Sequence, residues 1–84
     1  MTDAEFEVID ELYFPTDFDT LLQQTQFTQQ DLKQVLTTLH KKGWLRCFEL
    51  QTDIEVKNPD LEKNYKNYRY NASKKGLLAH NGFE

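Results

Sequence analysis

Thr28-Gln29-Gln30-Asp31-Leu32-Lys33-Gln34-Val35-Leu36-Thr37-Thr38-Leu39-His40-Lys41-Lys42-Gly43-Trp44-Leu45 decides how the rest of the chain is read. Leu32, Val35, Leu36 and Leu39 fall at i, i+3, i+4 and i+7, one apolar stripe on a helix. Thr28 stands where a hydroxyl can take an unpaired amide of the first turn, and Asp31 favours the positive helix end. Phe27 before the cap and Leu32 at the fourth helical position make a hydrophobic staple. Lys41 and Lys42 suit the negative end of the helix, and Gly43 suits a left-handed terminus. The spacing predicts a helix over 29–42.

Two similar starts precede it. Thr2…Glu5 and Thr16…Asp19 repeat the Thr-to-acid spacing of a capping box. Behind them, Phe6, Ile9, Leu12 and Tyr13, then Phe18, Leu21 and Leu22, predict helices over 3–13 and 17–24. After Gly43 the period changes. Trp44-Leu45-Arg46-Cys47-Phe48-Glu49-Leu50 reads as a strand over 45–50, with Trp44, Phe48 and Leu50 on one parity and Ile54 and Val56 as an extension. Tyr65 to Asn71 reads as a second strand, antiparallel to the first. Between them runs a polar tip, Gln51 to Asn64, with the turn signal Asn58-Pro59-Asp60. Ser73 caps a short closing helix over 74–80. Leu32, Leu36 and Leu39 are expected to pack against Phe6, Ile9, Phe18, Leu21 and Trp44.

The order of these elements resembles the winged-helix domain of MarR- and PadR-like bacterial regulators. The stripe from Leu32 to Leu39, leading through Gly43-Trp44-Leu45, looks like a recognition helix entering the first wing strand. Tyr70-Asn71-Ala72-Ser73-Lys74-Lys75-Gly76 is similar to the tyrosine–x–leucine–threonine–x–lysine–glycine passage that leaves the wing, with Ala72 and Ser73 as replacements. The resemblance implies an α+β fold in one domain over 1–84. It places a helix-turn-helix at 16–43 inside a three-helix bundle, a two-stranded antiparallel wing at 44–72 and a short C-terminal helix. It also implies a DNA-binding transcriptional regulator with the third helix in the major groove. The tip departs from the family pattern, because Asp53, Glu55, Asp60 and Glu62 make it acidic.

At 100° per residue, the face opposite the leucine stripe carries Gln30, Lys33, Gln34, Thr37 and Lys41, with Gln29 at its start. Glutamine pairs with adenine, threonine meets the thymine methyl, and lysine reaches guanine or phosphate. Six of the seven glutamines lie between Gln23 and Gln34. Gln29, Gln30, Lys33, Gln34 and Thr37 are therefore the candidate base readers, and Lys41, Arg46, Arg69 and Lys74 the candidate phosphate contacts. Residues 1–20 hold seven acids and no base, within a net charge of −4. Binding of double-stranded DNA by a lone copy should then be weak and salt-sensitive.

The rival reading is a protein-docking module on the same fold, because fold alone does not decide function. Lys33 and Lys41 clustered with Arg46 or Arg69 would mark DNA reading; their separation would mark docking. Tyr65, Tyr68 and Tyr70 read as packing rather than as base-stacking platforms.

Composition narrows the remaining classes. At 84 residues, 38% apolar and 29% charged, the chain reads as one small globular domain. No apolar run reaches the length of a membrane span, so no membrane association is expected. The acidic N-terminus lacks a signal-peptide pattern, and the single Cys47 forms no internal disulfide; both point to a reducing cytoplasm. His40, His80 and Cys47 lack metal-ligand spacing, and no phosphate loop or nucleophile motif occurs, so neither catalysis nor a cofactor is expected. A homodimer is left open. MarR-like proteins dimerise through added helices, and this chain has little beyond the core domain.

Overall fold

The computed structural model describes residues 1–82. The chain runs α1 (Asp3–Asp10), β1 (Thr16–Asp17), α2 (Phe18–Gln24), α3 (Gln29–Lys41), β2 (Leu45–Glu49), β3 (Glu55–Val56), a 3-10 turn (Tyr65–Asn67), β4 (Tyr68–Ala72) and α4 (Lys74–His80). The strands form one antiparallel sheet in the order β1-β4-β2-β3. The fold is α+β, with helices packed on one face of that sheet.

Local chemistry sets most boundaries. Thr2 accepts from the Glu5 amide (3.1 Å), and Glu5 accepts in return from the Thr2 amide (2.9 Å), a complete capping box. Thr28 caps α3 through the Asp31 amide, and Ser73 caps α4 through the Gly76 amide. Gly43 ends the α3 region at φ 77°, where a side chain would be strained. The second start differs from the expectation. Thr16 lies in β1, and Asp17 is the cap, its carboxylate taking the Thr20 amide and hydroxyl.

The first helix is shorter than the predicted 3–13. It stops at Asp10 because the Leu12 carbonyl turns to accept from the Ala72 amide and the Asn71 side chain. Leu12 is buried outside the helix, while Tyr13 and Phe14 are left exposed.

The two strands expected over 45–50 and 65–71 pair antiparallel as β2 and β4, and β1 and β3 extend that pair to a four-stranded sheet. Ile54 and Val56 do not prolong β2. The chain turns at Asp53 (φ 58°), and Val56 folds back beside Cys47. The second strand starts at Tyr68 rather than Tyr65, whose ring instead meets Phe18 edge-on at 4.7 Å. Within β2, Leu45 and Cys47 face the core and Phe48 stands on the outer side, while Trp44 just before the strand is buried.

The core joins Val8, Ile9 and Leu12 to Phe18, Leu21, Leu32, Leu36, Leu39 and Trp44, with Tyr68, Tyr70 and Ala72 from β4. Phe6 is not in it. It keeps 49% of its surface in solvent, because α1 turns that position away from α3. Leu61 is in it, which the polar stretch around it conceals. From β3 the chain must pass β2 to reach β4, and Leu61 anchors that crossing against the helical layer.

Candidate interaction surface

Helix α3 offers its outer face as expected in part. Gln29, Gln30 and Gln34 are exposed at its start, and Lys41 is exposed at its end. Thr37 is half-buried, and its hydroxyl donates to the Lys33 carbonyl at 2.8 Å. Lys33 is largely covered. Only 15% of its side chain reaches solvent, since Nζ lies 3.2 Å from a Glu62 carboxylate oxygen and 5.1 Å from the centre of the Tyr65 ring. The crossing segment held by Leu61 delivers both groups.

The sheet cations are paired in the same way. Arg46 forks onto Glu55, with Nε donating to Oε2 at 3.1 Å and Nη2 to Oε1 at 3.0 Å, and its guanidinium lies 5.0 Å from the Phe48 ring centre. These donors hold the Glu55 carboxyl below its ordinary range and raise the guanidinium in turn. Arg69 donates to Asp53 at 2.7 Å and to the Leu50 carbonyl at 3.1 Å. Lys42 is bound to the buried Glu5 at 2.6 Å and lies over the Trp44 ring. Among the described residues, Lys41, Lys57, Lys63, Lys66, Lys74 and Lys75 make no ion pair.

Lys33 thus meets Glu62, while Arg46 and Arg69, diagonal neighbours across β2 and β4, meet Glu55 and Asp53. Lys41 stands apart at the far end of α3, and Lys74 opens α4 with Lys75, whose stem passes near Gly43. No family model matches this chain, and no curated protein or solved structure matches it either.

Tyr68 and Tyr70 are buried, so their faces serve packing. Burial pushes the Cys47 thiol up to about 12, with the Glu55 charge adding to it, which leaves the sulfur inert. No cluster of three potential metal ligands occurs among the described residues. No helix among them is long and apolar enough to cross a membrane.

Reading the residues alone misses a second cluster. Phe6, Asp10 and Tyr13 from the α1 end meet His80 of α4. Nothing local in the sequence signals it, because its members lie at opposite ends of the chain. The aromatic pair Tyr13-Phe14, placed where helical periodicity stops, is the one visible hint.

Proposed function

We propose that this chain is a winged-helix domain that docks a protein partner rather than reading duplex DNA on its own. The winged-helix reading draws support from the element order, with β1 and β2 flanking β4 and a capped helix pair between β1 and β2. The docking reading rests on one observation: Lys33, Arg46 and Arg69 are each held by an acid from residues 53–62. Phosphate attraction supplies most non-specific DNA affinity. A surface that has already neutralised its central cations, in a chain of net charge −4, supplies little of it.

Transcriptional regulation through DNA is the second reading, favoured by the exposed Gln29, Gln30 and Gln34 at the start of α3, where a helix-turn-helix contacts bases. Titration of the chain with random-sequence duplex at about 50 mM salt separates the two. Docking predicts no saturable binding. Saturable binding with a salt slope that falls by about one unit in Lys41→Ala or Lys74→Ala would overturn it.

A further inference from the structure

The α1–α4 seam combines exposed aromatic surface, unopposed negative charge and an unsatisfied buried nitrogen. Phe6 stacks on the His80 imidazole, with ring centres 4.0 Å apart and planes 19° from parallel. The Tyr13 ring meets it edge-on, and the Tyr13 hydroxyl lies 2.9 Å from His80 Nδ1. Asn81 also donates to the Tyr13 oxygen, at 3.4 Å. When the Tyr13 hydroxyl donates to Nδ1, Nε2 carries the ring hydrogen. The His80 side chain is 8% exposed, yet among the described residues Nε2 has no hydrogen-bond partner, and a carboxylate oxygen of Asp10 lies 3.6 Å away. A buried donor left one short step from its acceptor is costly.

The outer face of α1 presents Asp3, Phe6, Glu7 and Asp10, and α1 contains no base. Lys42 is taken by Glu5 on the inner side, and Lys74 and Lys75 lie at the end of α4 away from His80. Phe6 and Tyr13 remain substantially exposed, and Phe14 follows at 80%.

Resting on the docking reading above, we propose that this seam binds a basic amphipathic helix of a partner protein. Its lysines or arginines face Asp3, Glu7 and Asp10, and its apolar side chains cover Phe6 and Tyr13. Charge complementarity selects this occupant, since an anionic membrane or a nucleic acid is repelled by the same face. A cation bound on the outer side of Asp10 holds one carboxylate oxygen there and lets the other settle toward Nε2–H, so docking also completes the tie between α1 and α4.

The test titrates the isotope-labelled chain with a 14-residue leucine/lysine amphipathic helical peptide and with its leucine/glutamate counterpart. Expected is saturable binding of the lysine peptide alone, with NMR shifts at α1 and α4 amides and at His80 Nε2. Glu7→Gln with Asp10→Asn should weaken it about tenfold, and Asp19→Asn with Glu62→Gln, equal in charge change, less than about twofold. Equal weakening by both pairs would reduce the effect to net charge and overturn the proposal. Shifts confined to α3 and residues 53–62 would overturn the placement while leaving the docking reading intact. Self-association through the same residues without peptide would replace the partner by a second copy, and overturn the occupant. Absence of lysine-peptide binding overturns the seam; the duplex titration then decides the docking reading separately.

Discussion

Leu36 shows what one side chain contributes. It is buried in the core cluster, and Leu36→Ala should cost about 2–5 kcal/mol, read from the denaturant midpoint. Cys47 makes a chemical test of the same core: its thiol should resist iodoacetamide at pH 8 in the native state and react on unfolding, followed by mass spectrometry. Two carboxyls give a pH dependence. Hydrogen bonds from Thr20 lead in holding Asp17 below its ordinary range. Burial alone would raise Glu5, but the Lys42 ammonium and the Thr2 donors outweigh it and lower the group. Both therefore bind fewer protons folded than unfolded. Their stabilisation is present above the unfolded carboxyl value, about 4, and is lost as pH falls through the lower folded values. Urea midpoints between neutral and acid pH should show that loss, reduced in Asp17→Ala.

At the scale of elements, caps and periodicity are legible because they act within a turn or two. The Thr2 box, the Thr28 and Ser73 caps, the leucine stripe and Gly43 all need only neighbours in sequence, and α4 matches its predicted span over 74–80. The two-residue strands β1 and β3 are not legible, since each exists only through a partner strand. The same holds for Lys33, expected on the outward face of α3, whose cover by Glu62 depends on a crossing segment 29 residues away. Seating of α4 depends on Gly76. A Cβ there would overlap the Trp44 carbonyl, whereas Gly43 has room but a left-handed backbone. Gly76→Ala should cost at least about 1–3 kcal/mol by overpacking and loosen α4 amides in hydrogen exchange. Gly43→Ala should cost about 1–2 kcal/mol and leave α4 protected.

For the whole molecule, charge is the property that sets behaviour toward partners. Asp53, Glu55 and Glu62 act on the chain's own cations, while Asp3, Glu7 and Asp10 of α1 face outward. Raising salt should therefore leave the fold nearly unchanged, since exposed ion pairs contribute little, and should weaken any docked basic helix; thermal midpoints and peptide affinity measured across one salt series would separate these effects. The strand order has a consequence in time. The strand at the centre of the sheet, β4, is the last one synthesised, and its two neighbours, β1 and β2, stay unpaired along those edges until Tyr68–Ala72 leaves the ribosome. Before then the nascent chain can form helical turns and the short β2–β3 hairpin, but not the central pairing. The sheet is then completed only by a long-range closure of β4 between β1 and β2, which slows folding.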